Sequence, residues 1–173
     1  MKMREIIIAV GFVALCLLAG GIGSFFTFES IPTWYAGLSK PDFSPPNWVF
    51  GPVWTTLYVM MGISAYLVYR SGQNSSATAR KGRAREGPNG ADVRGALFVF
   101  GAQLALNTIW SIVFFGMRSP LYGLIVIIAL WLAIAATIVK FYGISRTASL
   151  LLVPYILWVT FAGALNFFIW TLN

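Results

Sequence analysis

The side chains of this chain able to do chemistry inside an apolar run are amides and aromatic rings. Gln103 and Asn107 stand four residues apart with Trp110 three further on, a spacing that puts all three on one helix face. Pro154, Trp158, Ala162, Asn166 and Trp170 recur every four residues, and Trp54, Tyr58 and Met61 make a third such stripe. Rings of this kind offer broad stacking faces with a polar tip, and amides in an apolar medium must find hydrogen-bond partners. The combination suits a pocket for a flat apolar ligand. It does not suit acid–base or metal chemistry. The chain has no histidine, Cys16 is its single cysteine, and the carboxylates Glu5, Glu29, Asp42, Glu86 and Asp92 lie at the ends of apolar runs or in loops. The helices therefore offer no metal site, no His-activated nucleophile, no His ligand for haem and no buried proton relay.

The elements that must position these residues are set by composition. Of 173 residues 58% are hydrophobic and 10% charged, with mean hydropathy +0.78, against about a quarter charged in a soluble domain. This is the signature of an integral membrane protein, all-α, with a single domain over 1–173. Continuous apolar stretches predict five transmembrane helices, at about 6–28, 48–69, 95–116, 121–141 and 148–172. They are too long and too uniformly apolar for barrel strands. The first run follows Lys2 and Arg4 and competes with a signal peptide. Its length, and the lack of a clean small-x-small site at its end, favour a retained helix. Residues 70–94 are rich in Gly, Ser and Asn and carry six Lys/Arg, which predicts a flexible hydrophilic loop. No aromatic residue interrupts that basic stretch between Tyr69 and Phe98, so a solvated loop near anionic lipid is favoured over nucleic-acid binding.

Five spans put the chain ends on opposite sides. Ten Lys/Arg (Lys2, Arg4, Arg70, Arg80, Lys81, Arg83, Arg85, Arg94, Lys140, Arg146) fall on the side of the N-terminus and two (Lys40, Arg118) on the other. The positive-inside rule then puts the N-terminus and the 70–94 loop in the cytoplasm, and the first loop and C-terminus on the outer face. That first loop, within Trp34–Tyr58, is rich in Pro and Trp and reads as a lid running into the top of the second helix. At 1.5 Å per residue, Trp54 and Trp110 lie roughly 9 Å below the outer helix ends, Ala162 roughly 12 Å, Asn107 roughly 13 Å and Trp158 roughly 18 Å. Residues from three helices thus converge beneath the lid. The competing reading is an interfacial tryptophan belt with amides gluing helices together. Trp34, Trp48 and Trp170 fit either reading, and Trp131 fits packing or lipid contact better. Trp54, Trp110 and Trp158 lie too deep for a belt. Gly95, Gly101 and Ala105 give the third helix a small-residue surface that suits a homodimer.

Three ordered segments, WYAGLSKPDFSPPNWVFGPVWTTLY (34–58), GAQLALNTIWSIVFFG (101–116) and LLVPYILWVTFAGALNFFIW (151–170), resemble the tryptophan-rich sensory protein / translocator protein family. Its mitochondrial member is also called the peripheral benzodiazepine receptor. The resemblance covers the chain apart from the basic 70–94 loop, which is longer than the family's usual connection. It implies a five-helix bundle, often dimeric, with a cavity under the first loop. It also implies binding of protoporphyrin IX, other tetrapyrroles and isoquinoline or benzodiazepine drugs, with cholesterol added in animal members. The family's pocket positions fall on Tyr35, Trp54, Gln103, Asn107, Trp110, Pro154, Trp158 and Ala162. Trp54 and Trp158 match a pair implicated in light-dependent porphyrin breakdown by bacterial members. The sterol-recognition pattern at the end of the fifth helix is missing: residues 165–171 (LNFFIWT) lack its Tyr and its basic residue, which favours a tetrapyrrole role.

Three functions compete: a receptor or transporter that binds porphyrins, an enzyme that degrades them with light and oxygen through Trp54 and Trp158, and a ligand-responsive regulator. In the first, the ring stacks on Trp and Tyr faces, Tyr58 and Asn166 complete the pocket, and the propionates reach Lys40 in the lid. Porphyrin is then a ligand; no cofactor, metal or acid–base catalytic residue is expected.

Overall fold

The computed structural model describes residues 3–80 and 88–173, leaving aside the side chains of 76–80. It contains α1 (Met3–Ser30), α2 (Phe50–Arg80), α3 (Gly90–Ser111), α4 (Pro120–Tyr142), α5 (Arg146–Leu151) and α6 (Val153–Leu172). A single π turn, Ile112–Gly116, extends α3, and two short 3₁₀ turns, Tyr35–Gly37 and Asn47–Val49, shape the lid. Among the described residues five helical segments are long and apolar enough to cross a membrane, and no strand occurs. The expected all-α membrane architecture is borne out.

Helix ends follow local chemistry. Asn89 caps α3 by accepting from the backbone N–H groups of Ala91 and Asp92. Ser119 caps α4 from the residue before Pro120, and Ser145 caps α5. Each cap supplies an acceptor to N–H groups that have no partner within the helix.

Two expectations differ from the structure. Residues 70–80 continue α2 as helix and Gly90–Arg94 already belongs to α3, so the expected 70–94 loop is much shorter; its 81–87 portion lies outside the described residues. The apolar run ends where the helix leaves the hydrocarbon layer, and nothing in Ser71–Ser75 obliges the backbone to stop there. Arg70 instead forms an ion pair with Glu5 of α1, at 4.0 Å. The expected fifth span is also broken, at Leu152, because Pro154 has no N–H to donate to Leu150 and its ring crowds that carbonyl. Ser64 of α2 fastens the shorter piece, α5, by donating to the Ala148 carbonyl at 2.6 Å.

The helices form a ring in the order α1, α2, α5–α6, α4, α3, with α3 back against α1. The half away from the lid is packed solid by fully buried side chains such as Met61, Leu130, Ile134, Phe141 and Leu152. Toward the lid the packing opens.

Candidate functional site

Beneath the lid lies a cavity of about 500 Å³, within the size range of small-molecule sites. Its deep wall is aromatic. Trp54 stacks on Tyr58 at 5.8 Å between ring centroids and lies 6.4 Å from Trp110, which stacks on Phe114 at 5.4 Å. The edges of Phe114 meet Trp34 and Tyr35 in the lid, at 5.6 and 6.4 Å, so one chain of rings runs from the deep wall to the cover. Ala162, Leu165, Asn166 and Ile169 of α6 close the far side, and Gly20, Gly21, Ser24 and Thr27 of α1 the near side. No Asp, Glu, Lys or Arg among the described residues lines the space. Among the described residues no cluster of His, Cys, Asp or Glu could hold a metal.

The π turn gives this wall its shape. One extra residue in the turn rotates the end of α3 so that Phe114 and Phe115 both border the cavity, and Ser30 of α1 locks the turn by donating to the Phe115 carbonyl at 2.8 Å. Gly123 of α4 makes room for it: a Cβ there would lie 2.8 Å from Phe114 and 3.0 Å from Asn166 Oδ1.

Of the residues expected at the site, Tyr35, Trp54, Tyr58, Trp110, Ala162 and Asn166 border the cavity. The others lie elsewhere. Asn107 and Gln103 are buried below it. Asn107 accepts from the Tyr58 hydroxyl and donates to Tyr155 Oη at 2.9 Å, while Gln103 Nε2 points at Met61 Sδ at 3.8 Å and its Oε1 has no partner. Asn107 is thus the glue of the competing reading, binding α2, α3 and α6 under the cavity floor. Asn166 combines both roles: it accepts from Trp110 Nε1 at 3.3 Å and donates to the Pro120 carbonyl at 2.7 Å.

Pro154 and Trp158 border a separate open groove between α2 and α6. Trp158 does not border the main cavity but packs against Phe50, which does, with the rings 6.0 Å apart. Lys40 does not point inward. Its ammonium faces the lid carbonyls of Leu38 and Ala36, at 3.4 and 3.5 Å, and sits over the Tyr35 ring at 4.7 Å. Burial of Tyr35 raises its phenol above the ordinary 10.0, partly offset by a hydrogen bond with Ser44. Of the tryptophans left undecided by sequence, Trp48 borders the cavity mouth. Trp131, read from sequence as packing or lipid contact, donates to Thr160 Oγ1 at 2.8 Å and joins α4 to α6.

Residues not foreseen at the site are the α1 wall and the pair Phe114–Phe115. The small residues Ala19, Gly20, Gly21, Gly23 and Ser24 are the sequence signal for the α1 wall, and such a run reads equally well as a surface for close helix packing. Gly20 does pack, against Tyr58, whereas Gly21 faces open space.

The sequence model of the TspO/MBR family matches residues 12–171. The chain is 46% identical to the tryptophan-rich protein TspO of Archaeoglobus fulgidus over 157 residues, covering 91% of each. It is 42% identical to the protein CrtK of Rhodobacter capsulatus over 171 residues, 99% of this chain and 95% of the relative. With the human translocator protein the identity is 37% over 167 residues, 95% of this chain and 89% of the relative.

Proposed function

We infer the function from one premise: the chain belongs to the TspO/MBR family. It is a multi-pass membrane protein of the receptor or transporter type that binds porphyrins, with protoporphyrin IX as the reference ligand, and similar flat hydrophobic molecules under the first loop. What supports this reading is the 500 Å³ cavity, walled by Trp54, Tyr58, Trp110 and Phe114 and, among the described residues, lined by no acidic or basic side chain. Such walls bind by stacking and burial of apolar area, which reward a flat conjugated ring. They give no reward to a free charge, so the propionates of a bound porphyrin stay at the mouth, near Asn47 and Trp48. The ten-to-two distribution of Lys and Arg supports an orientation with the N-terminus on the cytoplasmic side.

A second reading has the bound porphyrin destroyed by light and oxygen. One observation favours it: Trp54 stands in a contiguous stack of oxidisable rings on the cavity wall. Trp158 contributes less directly, through Phe50.

One experiment tests both readings. Protein in detergent is titrated with protoporphyrin IX in the dark, following tryptophan quenching, and porphyrin absorbance is then followed under light. Saturable quenching with stable absorbance is expected for binding alone. Bleaching that is lost in Trp54→Phe while quenching persists supports degradation. Absence of quenching at micromolar porphyrin contradicts the tetrapyrrole function.

A further inference from the structure

We propose that the cavity loads and empties sideways, through a slot between α1 and α2 that opens into the lid-side half of the bilayer, and that Gly21 and Gly51 set the size of what passes. The proposal rests on reading the cavity as a ligand site.

The exposure of the cavity lining divides by element. Every exposed lining residue belongs to α1 or to the start of α2 and the 3₁₀ turn before it; those from α3, the π turn and α6 are buried or half-buried. Gly21, Ser24 and Phe28 follow one another along one face of α1, and Trp48, Gly51 and Thr55 do the same at the start of α2. Phe28 and Trp48 are 83% and 75% exposed and still border the cavity, so they are its rim.

The slot exists because α1 changes partner along its length. Farther from the lid it is pressed against α2: a Cβ on Gly62 would stand 2.5 Å from Val13 Cα, and one on Gly20 only 2.3 Å from the Tyr58 ring. Toward the lid it leans on α3 and the π turn. Gly23 abuts Ser111, Gly116 abuts Phe26, and Ser30 bonds the Phe115 carbonyl. Between the diverging helices, a Cβ on Gly21 or Gly51 would meet nothing within 4 Å.

The top of the cavity, in contrast, is fastened. Asn173 at the end of α6 both accepts from Ser39 N–H and donates to the Ser39 carbonyl, each at 3.0 Å. Phe43 packs edge-on against Phe161 and Phe168 of α6, at 6.2 and 5.4 Å. Taking 1.5 Å per residue from Ser30, the α1 rim from Phe28 to Gly21 lies roughly 3 to 14 Å below the helix end, within one leaflet's share of a hydrocarbon layer about 30 Å thick. The slot therefore faces acyl chains, where a flat apolar ligand accumulates.

The test uses full-length protein in lipid nanodiscs, with protoporphyrin IX binding followed by stopped-flow tryptophan quenching in the dark. Gly21→Leu and Gly51→Leu narrow the slot at positions where the first added atom meets no neighbour. Each is expected to slow association and release together, by about tenfold, the kinetic mark of a narrowed passage. Asn173→Ala, which unfastens the lid, is expected to exchange at the wild-type rate. Glycine variants that exchange as fast as wild type overturn the slot, as does slower association with a raised Kd and unslowed release, which assigns the glycines to the cavity wall alone. If wild type shows no quenching, the porphyrin reading fails and Gly51→Cys decides the slot. Cys16, the single native cysteine, is buried. A slot facing lipid lets a membrane-partitioning maleimide react and excludes an impermeant one; equal labelling by both overturns it.

Discussion

Asn107 shows how a polar residue in an apolar run is read two ways. Its spacing to Gln103 and Trp110 is legible in the sequence, but its partners are not, because they come from α2 and α6. Replacing it with leucine strands the Tyr58 and Tyr155 hydroxyls in a medium without water. Asn107→Leu is expected to lose about 1–2 kcal/mol of stability, read by denaturant unfolding in detergent. Trp54→Leu removes a stacking face instead and is expected to weaken protoporphyrin IX binding by about 1 kcal/mol, roughly fivefold in Kd, with a smaller effect on unfolding. Lys40 was expected to meet the propionates, and the lid turns its ammonium toward its own carbonyls and the Tyr35 ring. Lys40→Gln should accordingly leave Kd within about twofold in the dark titration. The raised phenol of Tyr35 has a pH consequence with a definite sign. Its contribution to lid stability is fully present below the ordinary 10.0 and is lost as pH rises through the higher folded value. Proteolysis of the lid should thus be flat between pH 6 and 9, as far as Tyr35 governs it, and quicken only beyond 10.

For whole elements, long apolar runs were easy to read and their ends were not. α4 falls at Pro120–Tyr142 against an expected 121–141, since both of its ends carry turn or capping residues. α2 overran its expected end because hydropathy reports the edge of the membrane rather than the end of a helix. The stripe Pro154–Trp158–Ala162–Asn166 was legible as a repeat, yet only its second half reaches the cavity. Four residues turn a helix by about 400°, so each step drifts about 40°, and three steps carry Pro154 about 120° away from Asn166. The drift explains why the two halves serve different spaces. Glycines on α2 likewise divide by what faces them. Gly62→Ala drives a Cβ into the Val13 backbone and is expected to cost about 1–3 kcal/mol in unfolding measurements. Gly51→Ala, with open space around it, should leave stability unchanged or raise it.

Across the whole molecule, a bundle solid on one side of the membrane and hollow on the other is a consequence of sequence distribution. Most of the tryptophan and proline falls at the lid end, while the other half is filled by fully buried side chains such as Met61, Leu152 and Phe141. The proposed orientation predicts that a cysteine at Ser39 reacts with an impermeant maleimide added outside intact cells, and one at Arg94 only after permeabilisation; the reverse pattern inverts the topology. The central claim is that the cavity under the lid holds a flat apolar ligand. It is tested most directly by the dark quenching titration of wild type beside Ala162→Phe, whose added ring would occupy the cavity from its α6 wall. The account predicts saturable quenching at micromolar protoporphyrin IX in wild type and a Kd raised at least about tenfold in a still-folded Ala162→Phe. Equal affinity in the two proteins would contradict it.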